Sequence, residues 1–257
     1  MAEQYHEVKH NIPSPALRAK AAEIAAKAIL RRASRVLGAS HKAAKVQREP
    51  YRSPGRGELA FAETLENSAG KPAVEAQDIV VEVRERKRVS GVLMVDTSLS
   101  MTGKNIALAG VAAAVLAGKL EAEDYALVLF ESAATVAKPM NVRLHLRQVV
   151  AKILEVPALG YTNIEDALAR GLRELERGRH KQRFGIIITD GKYTAGGDPL
   201  PLAAKYPRLF VLATEDYKMD RDLCRKLAAR GHGRCYAIDD YAELPYALSA
   251  LLDEVLA

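Results

Sequence analysis

The chain of 257 residues has no tryptophan and two cysteines, and aromatic side chains make up 5% of it. Two thiols, Cys224 and Cys235, allow at most one disulfide, so no disulfide scaffold holds the fold, and no zinc-type spacing surrounds them. Two reduced thiols are the expectation for a cytosolic chain; a disulfide joining the helix at Leu223 to the strand at Tyr236 is the alternative. A long hydrophobic run is also missing. The stretch at 106–118, rich in alanine, is shorter than the roughly 20 residues a membrane span needs and reads as a helix buried against a sheet. The N-terminal MAEQYHEVKHNIPSP carries acidic and His residues where a secretory signal would have an apolar core. A cytoplasmic protein with no membrane role is therefore expected. Neither internal repeats nor low-complexity tracts occur, and His145 and His232 attract no chemistry.

Charge is present but uneven. Residues 1–56 hold twelve Lys or Arg against four Glu, a net of +8, which leaves −2 for the rest of a chain whose total is +6. Within this basic arm Pro15 sits where a helix can begin, strong helix formers follow, and Gly38 marks its end. Lys20, Lys27, Arg31 and Arg35 recur on one face, beside an apolar stripe of Leu17, Ala21, Ile24 and Ala28 that could dock on the domain or on a partner. The segment HKAAKVQREPYRSPGRG then reads as a linker. The expected organisation is a basic, mainly helical extension and linker over 1–75, followed by one domain over 76–257. Such an arm suits nucleic acid or an acidic protein surface, but no aromatic interleaving or nucleic-acid motif accompanies it.

Beyond the arm, strands and helices alternate. GVLMV and FGIIIT are continuous apolar runs of the kind found in strands buried on both faces, and YALVLF, TVAKPM, RLFVLA and RCYAI read as further strands. Helical patterns fall between them: RLHLRQVVAKIL, NIEDALARGLREL, DRDLCRKLAARG and YAELPYALSALLDEVL. The expected fold class is α/β, a doubly wound and mostly parallel central sheet with helices on both faces. TVAKPM follows YALVLF after a tight turn and should form one antiparallel edge strand.

Three separated segments then fall where such a sheet would gather a ligand site. Asp96, Ser98 and Ser100 follow the strand GVLMV; Thr162 precedes a helix beginning near Ile164; Asp190 follows FGIIIT, with Gly191 providing the turn out of the sheet. Two carboxylates and three hydroxyls, with no imidazole or thiol, make an all-oxygen donor set. That set suits a hard cation, Mg²⁺ first, with Mn²⁺ or Ca²⁺ as alternatives. Taken singly, Ser and Asp after a strand are ordinary turn and N-cap residues; the weight rests on the three segments together.

The pattern D-x-S-x-S, a distant Thr in a G-x-T loop, and an Asp opening D-G resembles the metal-ion-dependent adhesion site of von Willebrand factor A domains. The resemblance runs from about Val80 to the C-terminus, with Leu99 standing where many relatives carry Gly. It implies that Ser98, Ser100 and, in some states, Thr162 touch the metal, that Asp96 and Asp190 hold it directly or through water, and that a partner's carboxylate fills an open position. A second resemblance lies upstream. Gly57, Leu59, Thr64, Leu65 and the run from Arg84 to Arg88 are similar to the lead-in of A domains that work with AAA+ ATPases, such as the D subunit of magnesium and cobalt chelatases and MoxR partners. The expected function is thus a non-enzymatic interaction module. Two alternatives stand beside it: a Mg²⁺-dependent phosphohydrolase with Asp96 as nucleophile, and a nucleic-acid-binding protein using the arm. Ser98 stands where dehalogenase-type phosphatases carry their second Asp, and neither Ser98 nor Ser100 lies in a G-x-S-x-G elbow.

Overall fold

The computed structural model describes residues 11–39, 45–52, 58–85, 88–98, 104–155, 160–214, 219–238 and 242–256. The chain packs into two compact units, one of residues 1–41 with 89–252 and the other of 42–88 with 253–257.

In the larger unit the central strand β4 (Val89–Asp96) is buried along its whole length, which is why its sequence is apolar without alternation. Parallel neighbours flank it: β5 (Tyr125–Phe130) on one side, β7 (Gln182–Thr189) on the other. Parallel strands β8 (Leu209–Thr214) and β9 (Cys235–Ile238) continue beyond β7. The far edge is β6 (Ala134–Lys138), which runs antiparallel to β5, so the six-stranded order is β6-β5-β4-β7-β8-β9. The expected α/β sheet with one antiparallel edge strand is what the chain forms. Of the two thiols, neither is in a disulfide, and burial pushes that of Cys224 up to about 12.

Helices cover both faces. Side chains alternate across a strand, so Val92 and Met94 of β4 share one face with Val128 and Phe130 of β5. That face forms a core with Ile164 and Leu168 of α5 (Ile164–Glu176) and with Leu223 and Leu227 of α7 (Arg221–Arg230). A short helix, α6 (Leu200–Ala203), was not expected; it leads to Tyr206, whose hydroxyl donates to the Leu168 carbonyl at 2.8 Å. Helices α3 (Lys104–Lys119), α4 (Leu146–Glu155) and α8 (Leu244–Leu256) complete the set beyond β4.

The arm helix α1 (Pro15–Ala39) packs on α3 and α4, through a different face from the one expected. Leu17 and Ile24 are 60% and 46% exposed, while Ala25, Ala26, Ile29, Ala33 and Val36 are buried. The reason is close approach: a Cβ on Gly110 would stand 2.9 Å from Ile29 Cδ1, and one on Gly118 would stand 2.4 Å from Leu37 Cδ1. Two glycines on α3 open hollows that receive Ile29 and Leu37 of α1, so the helices meet on that face and Leu17 and Ile24 stay exposed.

The smaller unit contains a three-stranded antiparallel sheet of order β1-β3-β2, made of β1 (Lys45–Pro50), β2 (Glu58–Leu59) and β3 (Val80–Glu85). Part of the expected linker is therefore strand. Pro50 is tolerated because β1 is an edge. Helix α2 (Phe61–Ser68) is stitched to β3 by Thr64, whose hydroxyl accepts from the Val80 N–H at 3.0 Å.

If α1 is an integral layer of the larger unit, Ile29→Ala should cost about 2–5 kcal/mol of stability, the usual range for a truncated core isoleucine. Urea unfolding measures this; a change below about 0.5 kcal/mol would mean that α1 rests on the unit without supporting it.

Candidate functional site

At the carboxyl end of the sheet, β4 delivers Asp96 and β7 ends one residue before Asp190. Register places Val95 beside Ile188, so Thr189 lies next to Asp96 and Asp190 just beyond it. Asp96 is fully buried and Asp190 is 3% exposed. The Asp96 carboxylate accepts the Ser98 N–H at Oδ1, 3.0 Å, and the Thr189 hydroxyl at Oδ2, 2.9 Å. Thr97 anchors the first turn after β4, with its N–H and hydroxyl both donating to the Phe130 carbonyl at 2.8 and 3.0 Å. Ser98 is also buried; Leu99 and Ser100 lie outside the described residues.

Asp190 Oδ1 accepts the Lys192 N–H at 3.0 Å, and the Lys192 ammonium stands 3.9 Å from Oδ2. Gly191 has φ +81°, and a Cβ there would stand 2.5 Å from the Asp220 carbonyl oxygen, so this turn requires glycine.

The Thr162 loop is held from two sides. Toward the β5–β6 turn, the Tyr161 N–H donates to Ser132 Oγ at 3.0 Å and the Asn163 N–H to the Glu131 carbonyl at 2.7 Å. Toward the loop after β7, the Thr162 N–H donates to Thr194 Oγ1 at 2.9 Å, and its carbonyl accepts the Thr194 N–H, also at 2.9 Å. Asn163 then caps α5, its side chain accepting the Asp166 N–H at 3.0 Å. Thr162 is 6% exposed, whereas Tyr161 and Tyr193 beside these loops are 66% and 42% exposed.

Thr97, Thr189 and Thr194 were not singled out from sequence. The position of Thr189 follows from parallel register one step beyond the Asp96 partner, a signal present in the two apolar runs once they are aligned. Thr97 and Thr194 act through contacts between distant loops, which spacing does not encode.

Burial raises the Asp96 carboxyl from 3.8 to about 6; the Ser98 and Thr189 hydrogen bonds pull the other way, and Asp190 adds to the rise. A desolvated carboxylate repelled by a second one is a site that gains from a cation. Among the described residues no group of three or more His, Cys, Asp or Glu that could hold a metal ion occurs. The described donors at this edge are the Asp96 and Asp190 carboxylates with neighbouring hydroxyls such as those of Ser98 and Thr189, a set that fits a hard divalent ion better than a soft one.

The family described as von Willebrand factor type A domain matches residues 92–192. That span runs from the middle of β4 past Asp190. Solved structures share the fold. An aerotolerance-related membrane protein from Bacteroides fragilis is 17% identical, with a TM-score of 0.51, over 65% of this chain and 99% of that one. The manganese-loaded TRAP protein of Plasmodium vivax is 22% identical, TM-score 0.52, over 66% and 76%. Proximal thread matrix protein 1 from the mussel byssus, with a zinc-occupied MIDAS motif, is 16% identical, TM-score 0.54, over 66% and 49%. No curated protein matches the chain. The central sheet and its helices thus have the von Willebrand factor A fold. Among the described residues no helix is long and apolar enough to cross a membrane.

A testable consequence lies in pH. The folded Asp96 carboxyl titrates at about 6 and the unfolded one near 3.8, so the charged form is disfavoured by folding. In chelator-treated protein its contribution is fully favourable below about pH 4 and is lost as pH rises through about 6, a change of roughly 3 kcal/mol at about 1.4 kcal/mol per pKa unit. Denaturation of wild type and Asp96→Asn from pH 4 to 7.5 should show this slope in wild type alone; equal slopes would contradict the desolvated state assigned to Asp96.

Proposed function

We propose that this chain is a non-enzymatic, divalent-metal-dependent protein-interaction module. Asp96, Ser98, Ser100, Thr162 and Asp190 would hold the ion, with Mg²⁺ the expected occupant and Mn²⁺ or Ca²⁺ as alternatives. The observation that carries the reading is the buried Asp96 carboxylate with a raised pKa beside Asp190. A bound cation would neutralise that pair. An ion with so few charged protein ligands keeps positions open, and a partner's Asp or Glu carboxylate would complete its shell. The metal-loaded TRAP and mussel proteins lend support, since each carries a divalent ion on this fold.

The chain's own residues supply the positioning. Thr189 and the Ser98 N–H orient Asp96, and Thr194 fixes the backbone that presents Thr162. The exposed rings of Tyr161 and Tyr193 would offer apolar contact to the partner segment that brings the carboxylate. Nothing in this arrangement requires a covalent step.

For the partner we favour an AAA+ ATPase of the MoxR or chelatase type, or that machine's substrate, in assembly of a protein complex or insertion of a metal or cofactor. The support is the similarity of Gly57, Leu59, Thr64, Leu65 and Arg84 to Arg88 to the lead-in of such A domains. The Thr64 hydrogen bond to Val80 gives one of those residues a structural role. A cytoplasmic location follows from the same reading.

Calorimetric titration with Mg²⁺ and Mn²⁺ tests the metal site. Wild type should bind one ion saturably, Ser98→Ala combined with Ser100→Ala should lose at least tenfold in affinity, and wild-type affinity should fall below pH 6 as protons compete for Asp96. Equal binding by wild type and variant, or no dependence on pH, would overturn the assignment.

A further inference from the structure

Away from the carboxyl edge, helices α1 and α4 leave an open trough between them. Its first half has a volume of about 360 Å³ and an alkyl floor of Ala22, Ala26, Leu30 and Ala151. The second half, about 490 Å³, shares Lys27, Leu30 and Arg147 with the first and adds Arg31 and Arg35. The two halves form one continuous depression. Residues 19 to 35 of α1 line it, about 24 Å at 1.5 Å per residue.

Charge is distributed along this length. In the apolar half Lys27 is already paired with Glu23, at 2.8 Å. In the other half Arg31 and Arg35 form no ion pair with a described residue, and both are exposed, as is Arg147. The trough therefore offers apolar contact at one end and the guanidinium groups of Arg31 and Arg35 at the other, with Arg147 on the wall that both halves share.

We propose that this trough docks an amphipathic helix of a partner protein, one with aliphatic anchors toward one end and carboxylates clustered toward the other. A helix of about 16 residues matches its length. Aliphatic side chains at i, i+4 and i+7 would fill the alanine-lined floor, and Asp or Glu beyond them would meet the guanidiniums, which bind carboxylates in a bidentate manner. Small residues on the floor let a second helix backbone approach closely. Nucleic acid fits less well: the alkyl half offers nothing to a phosphate, and Glu23 on its wall would repel one. This surface lies on the helical layer and does not depend on the metal.

The test is selection from a display library of 18-residue helices with randomised surface positions, against the full chain in the presence of EDTA. Enriched peptides should combine an aliphatic i, i+4, i+7 pattern with Asp or Glu near one end. Their affinity should fall at least tenfold for Arg31→Glu with Arg35→Glu, which alters exposed positions only, and at least fivefold for Ala22→Leu, which fills the apolar half. Far-ultraviolet circular dichroism and thermal melts should match wild type for both. Failure to enrich any helix over the charge-reversed variant, or enrichment of helices without carboxylates, would overturn the proposal. So would displacement of the selected peptides by a 20-base-pair DNA duplex at 0.15 M salt, which would assign the arginines to nucleic acid.

Discussion

A carboxylate removed from water must recover its lost hydration from fixed partners, and Asp96 sets that requirement at the end of the central strand. One oxygen takes the Ser98 N–H, which fixes the turn after β4; the other takes the Thr189 hydroxyl, which fixes β7 against β4 in a single register. The second bond does not form if β7 slips by one residue, because the slip turns Thr189 to the opposite face. The same register sets Asp190 just past the strand end, close enough for its charge to raise the Asp96 pKa further. Two acidic groups are thus held together by the geometry of a parallel strand pair, at an electrostatic cost that the metal-free protein bears.

Around this pair the loops are hydrogen-bonded to one another. The segment bearing Thr162 lies between the β5–β6 turn and the loop after β7, with hydrogen bonds on each side. Displacing Thr162 would break contacts to both neighbours. Three glycines with positive φ allow this density: Gly160, Gly191 and Gly196, where a Cβ would approach Ser132 Oγ, the Asp220 carbonyl oxygen and Asn163 Oδ1 at 2.4, 2.5 and 2.3 Å. The position of Thr162 is consequently tied to two other loops.

The parts of this architecture that were legible in the sequence share one property: their signal is local. GVLMV, YALVLF and FGIIIT read as strands because burial on both faces leaves them almost continuously apolar, and the helical pattern from about Ile164 marks the start of α5. Asp96, Thr162 and Asp190 could be placed at strand and helix ends from those boundaries. What was missed depends on pairing between distant segments. The charged strand KVQREP of β1 has no apolar face to announce it and is defined by its ladder with β3. The face of α1 that docks on the domain is set by the glycine hollows of α3, so it is not the stripe of Leu17 and Ile24. Thr189 and Thr194 serve other residues' side chains and backbone, a role invisible until the strands are in register.

The proposed function rests on a divalent cation at the Asp96 and Asp190 pair. Anomalous diffraction from crystals grown with Mn²⁺ tests it most directly. A single strong anomalous peak is expected within coordination distance, or one water's reach, of the Asp96 and Asp190 carboxylates and the Ser98 hydroxyl. A protein crystallised at millimolar Mn²⁺ with no peak at that edge of the sheet, or with its strongest peak elsewhere on the molecule, would contradict it.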